Sequence, residues 1–325
     1  MVPDAAPIAS FRSDLDALIA PGQRVGVAVS GGPDSLALLL LATTARPGLV
    51  EAATVDHALR NGSRAEAEMV AGVCAELGVP HQILSLEWAE TPATAIQERA
   101  RQARYAALAG WVAQRELAAL ATAHHADDQA ETLVMRLNRG AGVNGLSAMR
   151  PLSVIPGSSV PLLRPLLGWR HGELMQVCTT SGIRPVDDPS NDDERFERVR
   201  VRKGLQMADW LDAVALARSA AHLAQADEAL RWATGEEFAK RVADDGTTID
   251  ADGLPYEILR RMLAAAIARL TTEEPRGSDL SRALDILLAG GTTTLTGLKL
   301  EGGRPWRLSY APPRRTRSGP DSTLE

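Results

Sequence analysis

Short apolar runs alternate with helix-length segments over residues 24–140 of the chain. Four of these runs, 24–29, 52–55, 82–86 and 117–123, have the length and composition of buried strands. Strands separated by helical segments predict βαβ units, which build a parallel sheet with helices on both faces. We therefore expect an α/β fold with a doubly wound parallel sheet, in which ligands bind beyond the carboxyl ends of the strands.

The character of the chain changes near residue 207. Residues 207–242 are rich in alanine and amphipathic, which predicts one long helix interrupted near Gly235. Two shorter helices are expected over 254–270 and 278–289. The alternating stretch 293–310 contains two adjacent glycines and predicts a terminal hairpin.

These changes divide the chain into three expected parts. Residues 1–206 form a catalytic domain, residues 207–312 a smaller, mainly helical domain with a terminal β-hairpin, and residues 313–325 a disordered tail. Within the first domain, the Gly-, Pro- and Ser-rich segment 140–165 is expected to be a long functional loop. Residues 140–145 satisfy GxGxxG, but they follow a helix rather than a strand, so we do not expect a dinucleotide site there.

The segment SGGPDS, residues 30–35, carries the strongest chemical signal and joins a predicted strand to a predicted helix. Its two glycines let the backbone turn tightly, and the N-terminus of the following helix favours phosphate. The Walker A pattern GxxxxGK[ST] does not occur in the chain. The segment instead resembles the PP-loop, SGGxDS, of enzymes that split ATP into AMP and pyrophosphate. That resemblance makes Asp34 a candidate Mg²⁺ ligand, because Mg²⁺ prefers carboxylate and phosphate oxygens.

A second polar cluster, 121–132, follows the fourth predicted strand and opens a helix. Asp128 and Glu131 are three residues apart and share a helical face. Such a pair could bind an ammonium group or Mg²⁺, or it could simply cap the helix N-terminus. A zinc site is a weaker alternative, because HExxH is absent and the adjacent His124 and His125 point in different directions.

Two further segments could have either a functional or a purely structural role. Arg101 and Arg104 share a face of the predicted helix 94–114 and could form a charged surface or face a ligand. Residues 55–60, VDHALR, leave a strand end where a nucleotide base could pack against the backbone.

The combination of these motifs resembles the tRNA(Ile)-lysidine synthetase family. The matching segments, in the family's order, are SGGPDS (30–35), VDHALR (55–60), RQARY (101–105), TAHHADDQAET (122–132), LNRGAGVNGLSAM (137–149), RPLL (164–167) and DDPSNDDERFERVRVR (187–202). The combination is far more specific than the PP-loop alone. One position departs from the pattern, since the family commonly has Asn where this chain has Val199.

The resemblance implies a reaction with an activated RNA intermediate. ATP would adenylate the C2 oxygen of the wobble cytidine in an isoleucine tRNA, and the ε-amine of L-lysine would then expel AMP to form lysidine. The implied positions are Asp34, Arg104, His124, Asp128 and Glu131 for catalysis; Ser30, Gly31, Gly32, Pro33, Asp34, Ser35, Val55 and His57 for ATP; Asp128 and Glu131 for lysine; and Asp34 for Mg²⁺.

The net charge of −6, from 35 Lys+Arg and 41 Asp+Glu, is not typical of a nucleic-acid binder. The basic residues are nevertheless clustered. Residues 195–203 hold five cations and one acid, and residues 304–317 hold five arginines with Trp306 and Tyr310 between them. Arginine matches phosphate geometry and aromatic rings stack on unpaired bases, so both patches are candidates for tRNA binding. The tRNA-binding residues that we expect are Arg195, Arg198, Arg200, Arg202 and Lys203.

Cysteine usage and hydropathy suggest where the protein works. Cys74 and Cys178 lie far apart and outside any CxxC pair, so we expect buried thiols in a reducing, cytoplasmic setting. No apolar run approaches the ~20 residues that span a bilayer, so no membrane partner is expected. A homodimer stays open.

Three alternatives remain at this point. A related PP-loop enzyme could adenylate another tRNA base. One that adenylates a small acid or amide, as NAD and GMP synthetases do, would need a glutamine-hydrolysing partner or domain. A tRNA-thiolating relative would need reactive cysteines inside the motifs. A non-catalytic, ATP-gated tRNA-binding module would not need so complete a set of polar site residues.

Overall fold

The computed structural model describes residues 3–57, 63–86, 96–185 and 194–312. The chain divides into two compact units, 1–224 and 225–325. This division falls inside the helix Ala213–Arg241, whereas the change in composition lies near residue 207. Within the first unit, the helix Glu197–Met207 packs against the helix Ala126–Asn138. Among the described residues, no helix is both long enough and apolar enough to cross a bilayer.

A six-stranded sheet forms the centre of the first unit. Its strands are β1 Val25–Ala28, β2 Val50–Asp56, β3 His81–Ser85, β4 Ala119–Ala121, β5 Leu152–Val154 and β6 Pro161–Leu163. Their order is β3-β2-β1-β4-β6-β5, and all neighbours are parallel except β5 and β6. The expected α/β fold with a mostly parallel, doubly wound sheet is therefore confirmed. The direction of winding reverses between β1 and β4, which is where ligands bind in such sheets.

Helices cover both faces of this sheet. They are α1 Ala5–Asp16, α2 Pro33–Ala45, α3 Ser63–Glu76, α4 Ile96–Gln114, α5 Ala126–Asn138, α6 Val143–Leu146, α7 His171–Thr180 and α8 Glu197–Met207. Helix α2 is apolar on all sides because it is enclosed by α1, α7 and the sheet. On the other face, Leu108, Trp111 and Val112 of α4 pack against Leu120 of β4.

The expectation of a long loop over 140–165 is wrong. Strands β5 and β6 pair there as an antiparallel ribbon, and β6 also pairs with β4. Each strand has only three residues, so neither produces a visible sequence period. The glycine-rich stretch 140–145 overlaps the single-turn helix α6, which ends at Leu146, and Arg136 donates to the Gly145 carbonyl oxygen at 2.6 Å.

The long helix α9, Ala213–Arg241, is continuous through Gly235, so the expected interruption there is wrong. The break lies earlier, between α8 and α9. The backbone N–H of Ala215 donates to Asp212 Oδ1 at 2.7 Å, as an N-cap requires. Asp212 thus starts α9 a few residues beyond residue 207, where the composition predicts the long helix to begin.

The second unit consists of the end of α9, two further helices and an antiparallel sheet. The additional elements are α10 Tyr256–Leu270, α11 Gly277–Leu288, β7 Thr248–Ile249, β8 Thr292–Leu295, β9 Leu298–Glu301 and β10 Trp306–Tyr310. The strand order is β7-β10-β9-β8, so the predicted hairpin is part of a four-stranded sheet. Apolar side chains of α10 and α11 cover this sheet.

The C-terminal aromatic patch does not have the form expected from the sequence. Trp306 is 3% exposed and belongs to the core of the second unit, so it is not available to stack on a base. Tyr310 is exposed, and its hydroxyl donates to the Leu270 carbonyl oxygen at 2.9 Å. Arg304 pairs with Asp252 at 3.2 Å. Arg314, Arg315 and Arg317 lie outside the described residues.

Candidate active site

The SGGPDS loop, residues 30–35, connects the carboxyl end of β1 to α2. Gly31 has φ of +90°, a conformation that L side chains rarely adopt, so the turn requires glycine there. The backbone N–H of Ser30 donates to Ser35 Oγ at 3.1 Å, and the two hydroxyl oxygens lie 3.2 Å apart. The Ser35 hydroxyl donates to the Gly32 carbonyl oxygen at 2.9 Å. The two serines therefore hold the loop closed on itself.

An open cleft of about 620 Å³ lies above this loop, at the carboxyl ends of β1, β2 and β4. Its volume and position match those of small-molecule sites in α/β folds. Of the residues expected to bind ATP or act in catalysis, those that line it are Ser30, Gly32, Asp34, Ser35, Val55, His57, Arg104 and His124. Gly31 and Pro33 belong to the same loop without lining the cleft. Residues 58–60 of the VDHALR segment lie outside the described residues.

Asp34, in the first turn of α2, is surrounded by two imidazoles. Its Oδ1 lies 2.7 Å from His171 Nδ1, and its Oδ2 lies 3.5 Å from His125 Nε2. Ligand atoms of the three side chains all lie within 4.8 Å of one another. The carboxylate that sequence singles out thus sits in a polar cluster at the edge of the cleft.

The ionisation of this cluster follows from its contacts. Burial raises the pKa of Asp34, but hydrogen bonds from His125 and His171 outweigh it and hold that pKa well below its usual range. Burial lowers the pKa of His125, but Asp127, Asp34 and Asp128 together raise it to about 10. The hydrogen bond to Asp34 raises the pKa of His171. Asp34 is therefore an anion beside a protonated His125 at neutral pH.

Asp127 organises the two histidines, and sequence reasoning missed both His171 and this role. The backbone N–H of His171 donates to Asp127 Oδ2 at 2.9 Å, and the same oxygen lies 3.4 Å from His125 Nδ1. His171 begins α7, beyond the end of β6. Its place after a strand end is the available signal, but β6 has only three residues and the sequence predicts a loop there.

His124 faces the cleft in a different state from its neighbour. Its Nδ1 lies 3.0 Å from Thr122 Oγ1. Burial is the main reason that the pKa of His124 falls to about 3. The negative charge of Asp128 opposes this shift, and the positive charges of Arg164, Arg198 and Arg104 add to it. His124 is therefore uncharged at neutral pH, while His125 is protonated. The two adjacent histidines do point in different directions, as the sequence suggested.

Arg104 enters the cleft from α4. Its guanidinium carbon lies 5.3 Å from the ring centre of the buried Tyr105, and that of Arg101 lies 5.2 Å from the same ring. Arg104 lines the cleft, whereas Arg101 is exposed on the helix surface. Tyr105 thus supports one arginine that faces the site and one that faces solvent.

The carboxylate pair Asp128 and Glu131 lies on α5 and is engaged by α8. Arg198 donates from Nε to Glu131 Oε2 at 2.6 Å and from a terminal nitrogen to Asp128 Oδ1 at 2.5 Å. Arg202 donates from Nε to Glu131 Oε1 at 2.6 Å. The Glu131 side chain is only 2% exposed. The structure therefore brings together two sets of residues with separate expected roles, lysine binding and tRNA binding.

Two other cations of the 195–203 segment, Arg200 and Lys203, have different partners. Arg200 donates to the backbone carbonyl oxygens of Glu194 and Arg195 at 2.7 and 3.1 Å. Lys203 pairs with the Glu194 side chain at 2.6 Å. Val199, at the position where the family commonly has Asn, is 7% exposed and belongs to the buried side of α8. An apolar residue is suited to that side of the helix.

The chain also matches known proteins in sequence and in fold. A family model described as PP-loop domain matches residues 7–208. A tRNA(Ile)-lysidine synthase of Novosphingobium aromaticivorans is 49% identical over 315 residues, 96% of each chain. One of Zymomonas mobilis is 43% identical over 298 residues, 90% of each. A U34-tRNA thiolase from Methanococcus maripaludis shares the fold with a TM-score of 0.55 and 18% identity, over 67% of this chain and 76% of its own.

The winding of the sheet, the SGGPDS loop and the family model place the chain among PP-loop proteins. The identity to its relatives extends beyond that domain, over nearly the whole of both chains. The chain belongs to the tRNA(Ile)-lysidine synthase family, and the resemblance in the sequence motifs is confirmed.

Proposed function

We propose that the protein catalyses ATP-dependent formation of lysidine at the wobble cytidine of an isoleucine tRNA. The observation that carries this proposal is the position of a carboxylate pair, Asp128 and Glu131, on α5, the helix that begins two residues after His124. His124 lines the nucleotide-sized cleft, whereas the two carboxylates lie behind it on the helix and do not line it. An enzyme that joins lysine to an activated base needs both features, a site for ATP and an anionic site for an ammonium group.

The first step that we propose is adenylation of the base. The C2 oxygen of cytidine attacks the α-phosphorus of ATP, and the bond to pyrophosphate breaks. The SGGPDS loop and the N-terminus of α2 are suited to hold the phosphates, because helix N-termini favour anions. Arg104 lines the same cleft and can stabilise the charge that develops on the transferred group.

Asp34 is the residue that we propose as the ligand of Mg²⁺. It is ionised and lies in the loop proposed to hold the phosphates, which fits an ion usually held by one or two carboxylates and substrate phosphates. When bound, the ion would neutralise charge on the departing pyrophosphate. The imidazoles of His125 and His171 orient the carboxylate through the contacts described above.

The second proposed step is attack of the lysine ε-amine on C2, with AMP as the leaving group. Asp128 and Glu131 would hold the ammonium group of lysine through charge-assisted hydrogen bonds. With a pKa of about 3, His124 is uncharged at neutral pH. We therefore propose it as a neutral hydrogen-bonding partner of the adenylate rather than as a cation facing the phosphate.

A thiolating function has less support than ligation. Burial raises the pKa of Cys74 to about 12 and that of Cys178 to about 11. Both thiols are buried, and Cys178 Sγ donates to the Pro33 carbonyl oxygen at 3.3 Å. A protonated, buried thiol is a poor nucleophile, so neither cysteine is suited to carry sulfur.

The experiment that tests the proposal measures both products of the reaction. Sustained pyrophosphate release from ATP should require an isoleucine tRNA and L-lysine together, and Asp34→Ala should abolish it. Mass analysis of the tRNA should place labelled lysine only at the wobble cytidine. Release that is equally fast with any amine or with free cytidine, or label at another nucleotide, would contradict the proposal.

A further inference from the structure

The place suited to a substrate ammonium is filled by the protein itself. Of the four carboxylate oxygens of Asp128 and Glu131, three accept hydrogen bonds from the guanidinium groups of Arg198 and Arg202 at 2.5–2.6 Å. The fourth, Asp128 Oδ2, accepts the backbone N–H of His125 at 3.1 Å. An ammonium group that binds both carboxylates therefore competes with the two arginines for them.

We propose that Arg198 occupies the lysine-ammonium site, so that Arg198 and substrate lysine bind there in turn; this rests on the proposed function of Asp128 and Glu131. Arg198 bridges both carboxylates, as an ammonium group with three N–H donors would. Arg202 contacts Glu131 alone. Arg202 therefore stays in place and positions Glu131, while Arg198 leaves.

When the guanidinium of Arg198 leaves the two carboxylates, another anion has to replace them as its hydrogen-bond acceptor. The Arg198 side chain is 38% exposed, so an approaching group can reach it from solvent. It shares α8 with the cations Arg200, Arg202 and Lys203, a concentration of positive charge that attracts a polyanion. RNA phosphate matches the guanidinium fork as well as a carboxylate does. We infer that a phosphate of the bound tRNA takes Arg198 and opens the lysine site.

This exchange couples the two substrates. Without tRNA, lysine has to displace Arg198 from a buried carboxylate; with tRNA, the site is already open. Binding linkage is reciprocal, so lysine must strengthen tRNA binding by the same factor by which tRNA strengthens lysine binding. Lysine alone and tRNA alone should therefore each bind more weakly than they do together.

The test measures L-lysine affinity by equilibrium dialysis with radiolabelled lysine, using the full chain and a nonhydrolysable ATP analogue so that no turnover occurs. In the wild type, an isoleucine tRNA should tighten lysine binding by about 5- to 150-fold, the usual range of coupling. In Arg198→Gln, lysine binding without tRNA should tighten toward the tRNA-bound wild-type value. In this variant, adding tRNA should therefore tighten lysine binding by less than about threefold.

The matched control is Arg200→Gln on the same helix, because Arg200 donates to backbone carbonyl oxygens rather than to Asp128 or Glu131. It should weaken tRNA binding and leave tRNA-free lysine affinity unchanged. Arg198→Lys keeps a cation next to the carboxylates and should retain most of the coupling. In Arg198→Gln, added L-arginine should compete with lysine for the vacated place, which in the wild type it should not do.

The outcomes separate the inference from the function on which it rests. Lysine affinity that stays the same or weakens in Arg198→Gln, in protein with wild-type thermal unfolding, overturns the exchange. So does a wild type whose lysine affinity does not respond to tRNA. If Glu131→Gln leaves lysine affinity unchanged in both the wild-type and Arg198→Gln backgrounds, the carboxylates do not hold the amine, and the proposed lysine site itself is wrong.

Discussion

The substitution Glu131→Gln tests whether hydrogen bonds to Glu131 hold α8 against α5. Glu131 is almost completely buried and accepts one hydrogen bond from Arg198 and one from Arg202. Glutamine keeps the shape of the side chain but removes its charge. Both bonds then lose their charge assistance, and one amide nitrogen faces a guanidinium without a hydrogen-bond acceptor.

The expected magnitude follows from the contacts. A hydrogen bond to a charged group contributes about 1.5–3 kcal/mol. The two arginine side chains are 38% and 37% exposed, so solvent screens part of this contribution. A loss of about 2 kcal/mol remains after that discount. Since 1.4 kcal/mol is a factor of ten, α8 should open about 30-fold more often.

Amide hydrogen exchange followed by mass spectrometry measures this opening directly, in peptides that cover Glu197–Met207. Exchange in these peptides should rise about 30-fold, with β1 and β4 unchanged. The matched control is Glu194→Gln, which removes the exposed pair with Lys203. Exposed pairs of this kind contribute little to stability because water screens them, so exchange should rise about fivefold or less. Exchange in Glu131→Gln that stays within about fivefold of the wild type would refute the assignment of these bonds as the attachment of α8.

Two further predictions concern stability away from the cleft. Gly26→Ala places a Cβ 2.6 Å from Cζ3 of the buried Trp111. This overpacking should lower the free energy of unfolding by about 1–3 kcal/mol, and an unchanged urea midpoint would contradict the prediction. Glu51 is buried between Arg24 and Arg115: burial raises its pKa, but hydrogen bonds from Arg115 and Arg24 outweigh burial and lower it below 4.5. Its contribution is therefore present above the unfolded-state pKa and lost as pH falls through the lower folded-state value. The melting temperature of Glu51→Gln should be lowest relative to wild type at neutral pH and should converge with it in acid, whereas a constant difference would contradict the assignment.

The sequence specified the centre of the fold and the inner part of the site. The strands up to β4 have apolar runs long enough to be recognised, and the SGGPDS loop has a composition that few turns share. Strands β5 and β6 have three residues each and sit between glycines and prolines, so local pattern does not distinguish them from loop. The number of strands beyond the fourth is set by tertiary pairing.

The parts of the site that escaped prediction depend on contacts between distant residues. His171 and Asp34 are 137 residues apart, and Arg198 and Glu131 are 67 apart. Judged from its sequence neighbours alone, each of these residues is ordinary: His171 is an imidazole at a helix start, and Arg198 is an arginine on a charged helix. Sequence spacing carries no information on which distant partner each will meet, so the neutralised carboxylates became visible only in the fold.

The hydrogen bonds within the SGGPDS loop bear on how tightly nucleotide can bind. Because Ser30 and Ser35 close the loop on each other, and Gly31 is already in its left-handed conformation, the shape of the loop is established when the chain folds. Little additional backbone ordering then accompanies nucleotide binding at this loop, so little conformational entropy opposes that part of the association. Preorganisation of this kind makes nucleotide affinity depend on two hydroxyl groups even where they do not touch the ligand.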